Sequence, residues 1–173
     1  MATSTDSFGG EVLRELAVLR DELARLRCVA DAHEITRLVM SYGPLVDAGD
    51  AEGTAQLWTE SGRYEVDGVL GMQGREQIAQ MVHSPMHQAL IREGAGHVLT
   101  TPRISVQGDE AEAFNHALLI AHEAGIYRIA RISANHWRFV RNGEGWRVVS
   151  RVNRPLDGRE ASRRLFAQIG DQS

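Results

Sequence analysis

Between His97 and Pro155 the chain runs as four long apolar-rich stretches parted by three turn signals, and no other feature narrows its fold so far. His97 to Gln107 ends at Gly108-Asp109, Ala111 to Glu123 ends at Ala124-Gly125, and Ile126 to Arg141 ends at Asn142-Gly143-Glu144-Gly145. Trp146 to Asn153 closes the series ahead of Pro155. Glycine-bearing turns of this length join neighbouring strands, so the four runs predict an antiparallel meander. A shorter hairpin is expected upstream, with Tyr64 and Val66 on one arm, Asp67-Gly68 at its turn, and Val69 and Leu70 on the other.

Helical periodicity occupies the first half. Residues 1–10 are polar, contain Gly9-Gly10 and read as a disordered lead. Val12, Leu16, Leu19, Leu23, Leu26 and Ala30 then recur at alternating steps of four and three, the spacing of one coiled-coil seam. Arg14, Glu15, Arg20, Asp21, Glu22, Arg25 and Arg27 lie between them. So few heptads make a weak autonomous coil, and this helix needs either a partner or the surface of its own domain. A second helical pattern places Ile35, Leu38, Val39, Tyr42, Leu45 and Val46 on one side; Gly43-Pro44 is expected to kink it or end its first part. Asp50 is a candidate N-cap for a short helix through Leu57-Trp58. Gly74 precedes a helix containing Ile78, Met81 and Val82, Pro85 breaks it, and Met86 to Arg92 forms a second piece. Asp157 to Ile169 reads as a final amphipathic helix.

Helices first and a long curled sheet afterwards specify an α+β domain over residues 31–157, flanked by the lead and heptad helix (1–30) and by a C-terminal helix and tail (158–173). The curved antiparallel sheet, packed on one face by helices, leaves a concave surface able to hold a small molecule. The 173 residues suit one domain, and the formal net charge of −4 carries no footprint for nucleic acid. Cys28 is the only cysteine, which excludes an intramolecular disulfide and a thiolate zinc cluster. No apolar run approaches the roughly 20 residues that span a bilayer, and the N-terminus lacks a signal-peptide pattern. The expectation is a soluble, cytoplasmic protein with no membrane partner.

His83 and His87 are four residues apart, but Pro85 lies between them and no HExxH carboxylate accompanies them, so they read as a solvated helix end. Gly68, Gly71 and Gly74 read as turn glycines, since the strand, glycine and helix pattern of a phosphate loop is not met. No GxSxG elbow occurs. Neither a metal nor a cofactor is expected. What stands out is polar residues inside apolar runs: Asp47 after Leu45 and Val46, His97 before Val98 and Leu99, and His116 and His122 in phase with Phe114, Leu118 and Ile120. Ser133 and Asn135 are in phase with Tyr127, Ile129, Arg131 and Trp137. Taken singly, each fits a structural hydrogen bond; converging on one concave face, they make a site. Trp58, Val66, Met72, Met81, Leu118 and Trp137 are candidates for its apolar wall. Arg131, Arg151 and Arg154 are candidates to meet an acid group, with a surface role the default for each.

In element order and in several local phrases the chain resembles the SnoaL-like branch of the nuclear transport factor 2-like superfamily, and within it the scytalone dehydratases. Val46-Asp47 followed by Ala48-Gly49-Asp50 resembles the segment carrying their catalytic aspartate, and His97 in Gly96-His97-Val98 falls at their first catalytic histidine. His116 and His122 resemble a histidine pair of the same spacing, the second being the active-site member. Ser133-Ala134-Asn135 ahead of His136-Trp137 matches the ligand-contacting serine and asparagine. The likeness covers roughly residues 31–155. The two water-holding tyrosines of those enzymes fall on Val46 and Val66, whereas Tyr42, five residues before Asp47, resembles the Tyr and Asp spacing of bile-acid dehydratases in the same superfamily.

The resemblance implies an α+β barrel domain with a cone-shaped sheet and an extra N-terminal helix, and a cofactor-independent lyase, a dehydratase, acting on a small hydrophobic carbonyl compound; the apolar lining suits an aromatic polyketide, terpenoid or steroid. An imidazole, whose unperturbed pKa is about 6.5, can take a proton beside a carbonyl and return it to a departing hydroxyl. Asp47 would orient His97, and Tyr42, Ser133 or Asn135 would hydrogen-bond the enolate oxygen. His122 would orient the substrate or serve as a second acid. The alternatives are an isomerase or cyclase using the same dyad, and a non-catalytic pocket domain oligomerised through the N-terminal helix. Homo-oligomers are expected, trimers by resemblance.

Overall fold

The chain opens on one unbroken helix, α1 (Ser4–Asp47), where a polar lead and two separate helices were expected. The computed structural model describes residues 4–170; residues 1–3 of the expected lead and the end of the tail lie outside them. Pro44 sits inside α1 without ending it. The reason is energetic. A proline within a helix costs about 3 kcal/mol, whereas each large apolar side chain buried returns about 1.5–3 kcal/mol. Ile35, Val39, Tyr42 and Val46, spaced four, three and four, are all buried along this stretch. Polar bonds fix the start of that buried face. Asp31 Oδ1 accepts from Arg141 Nη1 at 2.6 Å and from Trp146 Nε1 at 3.1 Å, and Glu34 Oε1 accepts from the Trp146 backbone N–H at 3.1 Å.

After α1 come α2 (Ala51–Gln56), strands β1 (Trp58–Val66) and β2 (Leu70–Gln73), and helices α3 (Gly74–His83) and α4 (Pro85–Glu93). Asp50 caps α2 as expected, its Oδ1 accepting from the Gly53 N–H at 2.8 Å. Trp58, expected at the end of that helix, opens β1 instead. Pro85 starts α4 at its first turn, where its missing N–H has no partner to lose. His83 and His87 consequently lie on different helices.

The remaining strands are β3 (Ala95–Leu99), β4 (Arg103–Gln107), β5 (Glu110–Glu123), β6 (Ile126–Asn142) and β7 (Gly145–Pro155), followed by α5 (Glu160–Ala167). The run expected from His97 to Gln107 is two strands, parted at Thr100-Thr101-Pro102, where proline has no N–H to give a ladder. The β5–β6 turn has both central residues at positive φ, Ala124 at 49° and Gly125 at 80°, which matches the twist of the flanking strands.

The sheet order is β2-β1-β7-β6-β5-β3, with β4 also paired to β5. Two expectations change here. The sheet is mixed, because β1 and β7 run parallel, with Tyr64 opposite Arg151 and Val66 opposite Asn153. It is also an open curved sheet, with β2 and β3 at the two ends of the path, and no closed barrel forms. Within the meander, Leu119 pairs with Arg131 but Ile120 pairs with Ile129, so Ala130 is an extra residue on β6. Such a bulge reverses the in-and-out alternation beyond it. Asn115, Ser133, Asn135 and Trp137 are buried, whereas Tyr127 and Ile129 are exposed. The single face expected to hold Tyr127, Ile129, Arg131 and Trp137 is therefore interrupted.

Helices α1 and α3 close the concave side of the sheet over a core that holds Trp58, Trp137 and Trp146 with Ile78, Val82 and Val148. Close approach of α1 to β3 requires Gly43, because a Cβ there would overlap the His97 carbonyl oxygen. Backbone cannot swing aside as a side-chain tip can. Gly43→Ala is expected to destabilise the fold by about 1–3 kcal/mol, lowering Tm by roughly 2–4 °C per kcal/mol, as read by thermal unfolding; an unchanged Tm would show that the helix and strand separate freely.

Candidate active site

Asp47, the last residue of α1, faces the middle of β3, and its carboxylate receives two hydrogen bonds from one residue. Oδ2 accepts from the His97 backbone N–H at 2.9 Å, and Oδ1 lies 2.6 Å from His97 Nδ1. A carboxylate can only accept, so Nδ1 carries the proton of the neutral ring and Nε2 carries the lone pair. Nε2 has no hydrogen-bond partner among the described residues. The pair is partly shielded, the side chains of His97 and Asp47 being 16% and 28% exposed.

His97 lines a cavity of about 760 Å³ between the sheet and the two middle helices. That volume is of the size that encloses a drug-sized molecule. Most of the wall is apolar, including Val66, Met72, Met81, Leu90, Leu99 and Leu118. Helix α4 contributes His87, which departs from its reading as a solvated helix end. It is 6% exposed, its Nε2 lies 2.8 Å from the Val46 carbonyl oxygen, and its ring centroid is 5.5 Å from that of His97. Packing of α4 against α3 and β5 draws it inward.

One buried cation stands out in the wall. Arg151, on β7, is 2% exposed and has no carboxylate partner among the described residues. Its guanidinium lies 4.1 Å from the Tyr42 ring centroid, 4.2 Å from that of Trp137 and 4.6 Å from that of Tyr64. Three aromatic faces replace part of the lost hydration. Asn135 Oδ1 accepts from Arg151 Nε at 3.1 Å and from Asn153 Nδ2 at 3.0 Å. Arg151 Nη1, Ser133 Oγ and Asn153 Oδ1 remain buried without a protein partner. A strand arginine reads as surface in a sequence. Alternation within β7 gives the signal that sets Arg151 apart from the other two candidate arginines, since it shares a face with Asn153 and both come out buried.

Tyr42 links the two polar groups: its ring centroid is 6.4 Å from that of His97 and it lies against Arg151. Burial, first, and the neighbouring Tyr64 push its phenol well above the usual tyrosine range, with Arg151 pulling the other way. The hydroxyl therefore stays protonated.

The structure brings Tyr42, His97, Val66, Met81, Leu118 and Ser133 to the cavity wall, with Met72 beside them. Asp47 supports His97 from behind, and Asn135 supports Arg151. Trp58 and Trp137 are fully buried and pack against Tyr42 at centroid distances of 5.9 and 6.1 Å, backing the wall without lining it. His122 is not brought to the cavity. It lies near the end of β5 against the Tyr127 ring at 4.9 Å, beyond Leu118 and Leu119, where that strand meets the cavity. His116 points to the other face, 4.8 Å from the Phe166 ring of α5. Arg131 lines the cavity, whereas Arg154 pairs with Glu65. Tyr64, His87 and Asn153 are lining residues that sequence reasoning did not single out. Among the described residues there is no cluster of three or more metal-ligating side chains, and no helix is long and apolar enough to cross a membrane.

The SnoaL-like domain model matches residues 27–152. Among solved structures, a nuclear transport factor 2-like protein with a cystatin-like fold from Novosphingobium aromaticivorans is 41% identical, with a TM-score of 0.83, covering 85% of this chain and 96% of that one. A protein of unknown function from Mycobacterium tuberculosis is 25% identical, with a TM-score of 0.62, over 70% of this chain and 73% of that one. The ActVI-ORFA protein of Streptomyces coelicolor is 18% identical, with a TM-score of 0.63, over 72% of this chain and 96% of that one, a likeness of fold alone. No curated protein matches the chain.

The buried phenol makes a pH prediction. A group whose proton is held more tightly in the folded chain contributes stability below its unfolded pKa, about 10 for tyrosine, and loses that contribution as pH rises beyond it. All 19 basic residues are arginine, so no lysine titrates in that window. Tm should fall above about pH 10, and Tyr42→Phe should flatten that fall; an identical slope in the variant would show that Tyr42 ionises freely in the folded state.

Proposed function

The chain belongs to the SnoaL-like family, and on that premise we propose that it is a cofactor-independent dehydratase acting on a small, mainly hydrophobic carbonyl compound. The observation that carries this reading is the His97–Asp47 pair on the wall of an apolar cavity, with Nδ1 occupied by the carboxylate and Nε2 free to accept a proton. His97 Nε2 takes a proton from the carbon beside the substrate carbonyl, and the C–H electron pair moves into the carbon–carbon bond as the carbonyl oxygen gains negative charge. Asp47 keeps the ring oriented and favours the imidazolium so formed.

The oxyanion needs donors fixed in advance. Tyr42 offers a hydroxyl that burial keeps protonated, and Arg151 offers an uncompensated positive charge with an unpaired Nη1. A buried cation lacking a counter-charge is costly by itself, which supports a ligand that brings negative charge to it. The enolate then re-forms its carbonyl as the neighbouring carbon–oxygen bond breaks. The departing hydroxyl takes the proton from His97, giving water, an unsaturated carbonyl product and the starting state of the pair. Tyr42 and Tyr64, with centroids 6.1 Å apart, supply two phenols beside Arg151.

The test is a panel of fused-ring ketones bearing a hydroxyl two carbons from the carbonyl, incubated with the protein in deuterated water and followed by mass and by conjugated-enone absorbance. Loss of water is the expected result. Deuterium exchange without loss of water transfers the reading to an isomerase with the same pair, and neither change across the panel overturns catalysis of this kind. With a substrate in hand, His97→Ala should lower kcat by about 10²–10⁴-fold. Asp47→Asn should lose a similar factor with binding retained, and normal turnover by either variant would remove the pair from the mechanism.

A further inference from the structure

The half of α1 that leaves the domain carries an apolar seam that nothing among the described residues covers. Val12, Leu16, Leu19, Leu23 and Leu26 are 37% to 66% exposed, and Leu13 and Val29 beside them are more than 60% exposed. Of the two covers open to a heptad helix, its own domain is therefore excluded. The seam begins well before residue 27, where the match to the SnoaL-like domain starts, so it is an addition to that domain. An isolated amphipathic helix is marginal in water, and this one projects roughly 40 Å at 1.5 Å per residue.

The charges beside the seam identify the cover. With Val12, Leu19 and Leu26 at d positions and Leu16, Leu23 and Ala30 at a positions, Glu15 and Glu22 occupy g, and Arg20 and Arg27 occupy e. In a parallel pair, each g residue faces the e residue five positions later on the other helix. Glu15 then meets Arg20 of the second copy, and Glu22 meets its Arg27. An antiparallel pair would instead set glutamate against glutamate and arginine against arginine. Among the described residues none of these four makes an ion pair within its own chain. We propose that residues 12–30 of α1 dock on the same segment of a second copy of this chain as a parallel, in-register coiled coil. Cys28, at an outward f position, stays clear of the seam.

Light scattering on the full chain should give a mass above one chain. Leu19→Asp with Leu23→Asp should return it to one chain while the domain keeps its Tm, since neither side chain reaches the core. Glu15→Arg with Glu22→Arg should weaken association at low salt, and adding Arg20→Glu with Arg27→Glu should restore it. Orientation is read from Val12→Cys in a Cys28→Ser background. Parallel helices place the two introduced thiols side by side and give an oxidative crosslink, whereas antiparallel ones hold them roughly 27 Å apart. A single-chain mass for the unaltered protein, association indifferent to the leucine substitutions, or a dimer that fails to crosslink at residue 12 would each overturn the proposal.

Discussion

One carboxylate taking two hydrogen bonds from one residue joins the helical layer to the sheet at the cavity. Asp47 ends α1 and binds both the backbone N–H and the imidazole of His97 on β3. Charge-assisted bonds of this kind are stronger than neutral ones, and here they fix a ring and a strand together. The geometry depends on residues that take no part in the bond. Gly43 lets the helix approach the His97 carbonyl, Ile35, Val39 and Val46 anchor the helix, and His87, tied to the Val46 carbonyl, flanks the ring.

Arg151 is the second organising element, and its logic differs. It is buried among tyrosine and tryptophan faces, with Asn135 holding one nitrogen and, among the described residues, no acid neutralising it. Two strands set this arrangement. On β6 and β7, Asn135 faces Asn153 and Trp137 faces Arg151, so cation, amides and aromatic rings form adjacent rows of one ladder. A largely hydrophobic cavity thereby gains a buried positive charge on the wall it shares with the His97 imidazole. The apolar remainder of the wall offers little to compete for that charge.

Much of this architecture is written locally. The turns at Gly108-Asp109, Ala124-Gly125 and Asn142 to Gly145, the cap at Asp50 and the break at Pro85 all follow from residue chemistry at single positions. What escaped is what local chemistry does not encode. Parallel pairing of β1 with β7 has no turn to announce it, and one inserted residue, Ala130, changes which side chains reach the cavity without changing the pattern's appearance. Arg151, named only as one of three arginines able to meet an acid group, and His87 were given surface roles for a related reason: exposure is the sound default for a charged strand residue and for a histidine at a helix end, and only tertiary packing reverses it. The approach of Asp47 to His97 was suggested by resemblance to a family, since neither periodicity nor spacing connects two residues so far apart.

The parallel junction between β1 and β7 also bears on the order in which the protein can be assembled during synthesis. Tyr64 is made early and its ladder partner Arg151 very late, so no nascent fragment that stops short of the final strand can complete the cage of rings around that arginine. Pairings this distant in sequence are slow to form, because the entropy of closing so large a loop is spent before the contact gives anything back. Without the last strand, the edge of β1 that pairs with β7 would have no ladder partner in the observed sheet order.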